Sequence, residues 1–196
     1  MEKYSNGYCF DLASKEDISG IIELENKYFE EDVVYKEEEI RKWISYNPNM
    51  IYVVRDSNNK VIAFTIIAPI TEECYNKFRR GLITDMNEFE QNDIMVTLQS
   101  DYYYFADVVS DNKNPIASMI MFRNILPILW ENTHYIVTTP VTDAGKNKAI
   151  KLGAKNTYGE STLKLEEPCY VEVSSSKPIA EKMVSAMNKI LKKKNL

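Results

Sequence analysis

The stretch Tyr102–Arg123, YYYFADVVSDNKNPIASMIMFR, constrains this chain more than any other. Its apolar run is broken only by Asp107, which predicts a central strand over Tyr102–Val109, covered on both faces. Ser110–Asn114 is short and polar, and Pro115 suits the first position of a helix. A strand that runs straight into a helix presents backbone N–H groups and a positive dipole end above the loop, an arrangement that accepts an anion. A carboxylate on such a strand is either paired or functional, which singles out Asp107.

The segments around it alternate in character. Ser14 followed by Asp17 resembles a capping box, and Ile18, Ile21, Ile22, Tyr28 and Phe29 form a helical stripe behind it. A second helix carries Ile40, Trp43 and Ile44 behind Glu37–Glu39 and stops at Asn47-Pro48-Asn49. Ile51–Arg55 and Lys60–Pro69 read as strands joined by Asp56-Ser57-Asn58-Asn59, a hairpin signal. Thr71–Arg80 reads as a short helix ended by Gly81, and the acidic Leu82–Asp93 as a loop or lid. Pro127 is expected to kink or end the helix that starts at Pro115. Tyr135–Pro140 is a further strand, Thr142–Leu152 a helix closed by Gly153, and Ser161–Leu165 with Tyr170–Ser174 a last strand pair. Ser174–Pro178 reads as a linker, followed by an amphipathic helix with Ile179, Met183, Met187, Ile190 and Leu191 on one face. This places a main domain at 1–173 and a linker with a packed terminal helix at 174–196.

Composition narrows the function classes. The 196 residues carry a net charge of −5, and no basic stripe with interleaved aromatics is present, which argues against nucleic-acid binding. A single histidine, His134, leaves too few ligands for familiar zinc chemistry, so no metal is expected. Cys9, Cys74 and Cys169 are scattered and odd in number, which fits a reduced, cytoplasmic setting. Neither a signal-peptide core nor an apolar run of membrane-spanning length is expected from the sequence.

Three stretches together resemble the GNAT superfamily of acyl-CoA-dependent N-acetyltransferases. VVRDSNNKVIAFTII is similar to its second and third strands, ADVVSDNKNPIASMIM to its cofactor-gripping strand–loop–helix, and TDAGKNKAIKLGAKN to the helix after its fifth strand. The resemblance covers roughly Tyr8 to Val173. It implies an α+β fold, with a mixed, mostly antiparallel sheet, helices on both faces and a wedge where central strands diverge.

It also implies a reaction, transfer of an acetyl group from acetyl-CoA to a primary amine on a small molecule or a protein. By position, Val108 and Val109 then pair with the pantetheine arm. Asn112, Lys113 and Asn114 form the pyrophosphate loop, with Ile116, Ala117 and Ser118 as the helix start beneath it. Beside these, Asp107 is the candidate base, with a buried hydrogen-bonded carboxylate as the plainer reading, and the Val109 N–H is the oxyanion donor if cofactor binds as in the family. Lys146 and Lys148 are candidates for facing cofactor phosphates, against a solvated face, and one of Tyr102, Tyr103 and Tyr104, with Tyr104 favoured, for a replacement acid, against strand filling. The glycines of the family's loop are missing, and its usual acid falls at Ala149. A catalytically inactive CoA-binding or protein-interaction module is the alternative reading, and a homodimer is open. Asp85, Glu88, Glu90 and Asp93 are candidates for attracting a cationic amine, with a solvated loop as the plainer reading.

Overall fold

The computed structural model describes residues 2–4, 7–29, 34–97, 99–131 and 133–194 and, at Asp107, the backbone alone. The fold is α+β, a mostly antiparallel open sheet with helices. It divides into two compact units, Met1–Ile66 with Asp107–Leu126 and Met183–Leu196, and Ile67–Ala106 with Pro127–Lys182.

In the first unit, β1 (Glu2–Lys3), β2 (Cys9–Leu12), β3 (Ile51–Arg55) and the first half of β4 (Val61–Ile70) pair antiparallel in that order. The β3–β4 hairpin forms where the turn residues predict it. Asp56 Oδ1 accepts from the Asn58 and Lys60 amides, and Asn59 takes the left-handed backbone at φ 63°. Helix α1 (Ile18–Asn26) buries Ile18, Ile21 and Leu24, and α2 (Glu37–Tyr46) buries Ile40 and Trp43. Their apolar positions recur at helical spacing, so each helix offers one face to the core.

The turn before α1 is fixed by charge. Asp17 is buried, and its carboxylate accepts from the Ser14 amide at 2.7 Å and from Arg55 through Nε at 2.8 Å and Nη2 at 2.6 Å. The two parallel bonds form a fork that ties the start of α1 to the end of β3. Burial alone would push the Asp17 carboxyl up, but the bonds from Arg55 and Ser14 outweigh it and hold it below its usual value.

In the second unit, β5 (Tyr102–Ser110) pairs parallel with β6 (Tyr135–Thr138), which pairs antiparallel with β8 (Cys169–Glu172), and β8 with β7 (Lys155–Asn156). Helix α3 (Glu72–Arg79) starts at Thr71, whose Oγ1 accepts from the Cys74 amide, and ends at Gly81 with φ +66°. Phe78, Phe89 and Tyr104 form a buried aromatic cluster, with Phe78 stacked on Tyr104 at 5.1 Å and Phe89 edge-on at 5.2 Å.

Four expectations change. Leu82–Asp93 is no bare loop, because Met86–Glu88 and Gln91–Asp93 are 3-10 turns that bury Met86, Phe89 and Asp93. Helix α4 (Pro115–Glu131) passes through Pro127 without ending, and it buries Ile125, Leu126, Leu129 and Trp130 around the proline. Ser161–Leu165 is not a strand. β7 takes that place beside β8, while the Asn156 side chain donates to the Thr162 carbonyl and the Glu167 carboxylate and folds the segment into a turn. Ser174–Pro178 lies inside α6 (Val173–Lys193), where the Ser175 and Ser176 hydroxyls donate back to the Glu172 carbonyl at 2.8 and 2.9 Å.

Two substitutions test these supports. Arg55→Met should lower stability by about 3–5 kcal/mol, the usual cost of orphaning a buried charge, read as a shifted urea midpoint. Gly81→Ala should cost at least about 1–2 kcal/mol for its left-handed backbone. Its added Cβ also falls 2.7 Å from the Tyr158 ring.

Candidate functional site

Most of the candidate cofactor residues lie where β5 exits into α4. Strand β5 ends at Ser110 and α4 begins at Pro115, so four residues, Asp111 to Asn114, make the connection. No glycine lies among them. The backbone must therefore turn within ordinary dihedral angles, and its donors need acceptors close by.

Each backbone N–H of the connection has an acceptor within the chain. Asp111 N–H donates to the Ile62 carbonyl at 2.8 Å and prolongs the pairing beside β4. Asn112 N–H donates to the Tyr28 hydroxyl oxygen at 2.8 Å, and Lys113 N–H to Asp111 Oδ1 at 3.1 Å. Asn114 N–H donates to the Asp111 carbonyl at 2.7 Å, and Pro115 carries no N–H. Asn114 Oδ1 accepts from the Tyr8 hydroxyl at 3.2 Å.

Asp111 is the hub of this network. Besides the Lys113 amide, its Oδ1 accepts from Lys27 Nζ at 2.9 Å and from the Tyr28 hydroxyl at 2.7 Å. The Lys27 ammonium, then the Tyr28 hydroxyl and the Lys113 amide, hold the Asp111 carboxyl well below the usual carboxylate range. Asp111 is thus an anion at any physiological pH, with Lys27 as its counter-charge.

Sequence reasoning missed Tyr8, Lys27, Tyr28 and Asp111. Tyr28 was expected on the apolar stripe of α1, but the helix ends at Asn26 and Tyr28 lies in the turn beyond it, its amide bonded to the Glu25 carbonyl. A signal for Asp111 existed, because an aspartate at the first position of a turn accepts from the amide two residues on.

The predicted residues fall as follows. Val108 and Val109 lie near the C-terminal end of strand β5, with Val109 buried, and Asn112 and Lys113 are exposed in the loop. Ile116, Ala117 and Ser118 open α4; Ala117 is buried and its amide caps onto the Asn114 carbonyl, and the Ser118 hydroxyl donates to the Pro115 carbonyl. The Asp107 side chain lies outside the described residues.

In the second unit, Tyr104 is buried in the Phe78–Phe89 cluster, and Lys146 on α5 (Asp143–Lys151) pairs with Asp143 at 2.8 Å. His134 is exposed, with Nδ1 3.3 Å from Asp101. Ala149, at the position of the missing acid, is buried. Asp85, Glu88 and Asp93 accept from turn amides, and Asp93 also pairs with Lys77 at 2.7 Å. Cys74 and Cys169 are free but buried, and burial pushes their thiols up, Cys169 to about 12, which keeps them protonated and unreactive.

No family model and no curated relative matches this sequence. Solved structures do match. The GphF GNAT-like decarboxylase in complex with isobutyryl-CoA superposes with a TM-score of 0.59 at 10% identity, over 84% of this chain and 99% of that one. The loading GNATL domain of CurA from Lyngbya majuscula gives 0.57 at 12% identity, over 86% and 98%. The GNAT family N-acetyltransferase YhbS from Escherichia coli, solved in complex with CoA, gives 0.53 at 14%, over 89% and 86%.

The chain has the GNAT fold. Within the GNAT fold as this chain builds it, the β5–α4 connection departs most from the expected pattern, because side chains of the protein itself take up the loop amides. Among the described residues, no cluster of three or more His, Cys, Asp or Glu is placed to hold a metal ion, and no helix is long and apolar enough to cross a membrane.

The Asp111 network has a pH signature. A carboxyl held below its unfolded value adds stability that is full above the ordinary range near ~4 and is lost as pH falls through the depressed folded value. Asp111→Asn should therefore be less stable than the parent at pH ~6, with the gap closing toward pH ~2. Urea unfolding at a series of pH values measures it, and a gap independent of pH would assign the loss to packing instead.

Proposed function

We propose that this protein binds an acyl thioester of the acetyl-CoA type and transfers the acyl group to a primary amine. The observation that carries the reading is the GNAT fold, with a nine-residue β5 running through four residues into the seventeen-residue α4. Two of the similar structures hold isobutyryl-CoA and CoA, which supports an acyl-CoA as the donor class.

The backbones of Val108 and Val109 are the proposed seat of the pantetheine arm, and Ile116–Ser118 the helix start beside it. Asn112–Asn114 are proposed to flank the diphosphate without gripping it, since the loop amides already have acceptors, and Lys146, paired with Asp143, is left out of the assignment. The bound thioester supplies an activated carbonyl. Asp107 takes the proton of the attacking ammonium, directly or through water, and the Val109 N–H faces the developing oxyanion. Tyr104 we assign to the core, because its ring is enclosed by Phe78 and Phe89, and no proton is routed through it.

The occupied loop amides also favour a second reading, in which the fold is kept as a non-catalytic binding module. One experiment separates them. Under the first reading, acetyl-CoA at a hundred times its dissociation constant should stabilise the protein by ~2.7 kcal/mol, seen as a raised unfolding midpoint. Asp107→Asn should then lower turnover with an amine acceptor by at least about 100-fold at unchanged acetyl-CoA affinity. Binding without turnover of any amine selects the module, and no midpoint shift at millimolar ligand removes the donor assignment altogether.

A further inference from the structure

We propose that Asp111 and Tyr28 fill, as parts of the chain itself, the hydrogen-bonding seat that the β5–α4 loop would offer a diphosphate, so that the site selects a pantetheine thioester and does not grip the diphosphate of CoA. This rests on the acyl thioester reading above and names the part of the donor that is recognised.

Of the five residues from Asp111 to Pro115, four carry a backbone N–H, and all four point at acceptors of the protein: the Ile62 carbonyl, the Tyr28 hydroxyl, Asp111 Oδ1 and the Asp111 carbonyl. A diphosphate binding to such a loop in the usual way would need the Asn112 and Lys113 amides, and those are the two held by side chains. Displacing a side chain exchanges one hydrogen bond for another, so little is gained at either amide.

Charge adds a second, independent obstacle. The side chain that must leave the Lys113 amide is an anion, held by Lys27 at 2.9 Å and by the Tyr28 hydroxyl at 2.7 Å. A diphosphate entering beside Asp111 meets a like charge, and the Lys27 ammonium is already engaged by that carboxylate. The Asp111 carboxylate thus stands in for the anion that a glycine-rich loop would leave to its ligand. Tyr28 serves both sides of the seat, donating to Asp111 and accepting from Asn112. A phenylalanine there would leave the Asn112 amide and one bonding position of Asp111 open.

The pantetheine end is untouched by this network, because Val108 and Val109 precede the connection and would bind through strand backbone. The seat therefore discriminates between the two ends of one donor molecule.

The test compares acetyl-CoA with S-acetylpantetheine, which lacks the diphosphate, by calorimetric titration of the full chain. The parent should bind both within about threefold of each other. Asp111→Ala should tighten acetyl-CoA by at least about tenfold and leave S-acetylpantetheine within about twofold. Tyr28→Phe should move acetyl-CoA in the same direction and covers the case that Asp111→Ala does not fold. A parent that binds acetyl-CoA more than about tenfold tighter than S-acetylpantetheine overturns the selection while leaving the donor class intact. Weaker acetyl-CoA binding by either folded variant does the same. Failure of both ligands on all three proteins removes the donor class, and the selection with it.

Discussion

A strand that hands the chain directly to a helix leaves a short row of backbone N–H groups with no partner in either element. Glycine-rich loops leave that row open to a ligand. Here the four residues between β5 and α4 contain no glycine, and the row is closed from within by Asp111 and Tyr28. That closure sets the rest of the first unit around the connection. It draws the turn after α1 onto the loop through Lys27 and Tyr28, and it brings Tyr8 onto Asn114. The loop is thereby tied to two segments more than eighty residues away in sequence.

The same device recurs in this acidic chain. Asp17 accepts from the Ser14 amide and is neutralised by Arg55, and Asp93 accepts from the Glu90 amide and is neutralised by Lys77. In each case a carboxylate accepts from the amide three residues before it, and one cation offsets its charge. Buried carboxylates of this kind serve turn geometry, and they remove Asp93 from any role in attracting an amine.

Much of the fold was legible because it rests on local rules. The Asp56–Asn59 turn, the Thr71 cap and Gly81 stop of α3, and the Gly153 stop of α5 all follow from residues whose backbone preferences act over a few positions. Ser161–Leu165 and Ser174–Pro178 depart from the local pattern for the complementary reason. The first is bent by an Asn156 side chain from outside the segment, and the second is taken up within α6, where the serine hydroxyls are satisfied by the Glu172 carbonyl. Of the candidate site, the Pro115 helix start was visible in the strand–loop–helix pattern, while Val108 and Val109 came from the family resemblance. Lys27 and Tyr28 were not, since nothing in their own neighbourhood marks them for a loop so distant in sequence.

The sequence by itself determined the β3–β4 hairpin and the place where β5 gives way to α4, because hydrophobic period and turn chemistry are properties of adjacent residues, and its resemblance to a known family implied the α+β class. Only the tertiary structure decided what that junction does with its amides. Hydrogen-bond partners at a loop are chosen by distance in space. The Asp111 carboxylate and the Tyr28 hydroxyl reach those donors at 3.1 and 2.8 Å only after α1 has packed and its final turn lies over the end of β5.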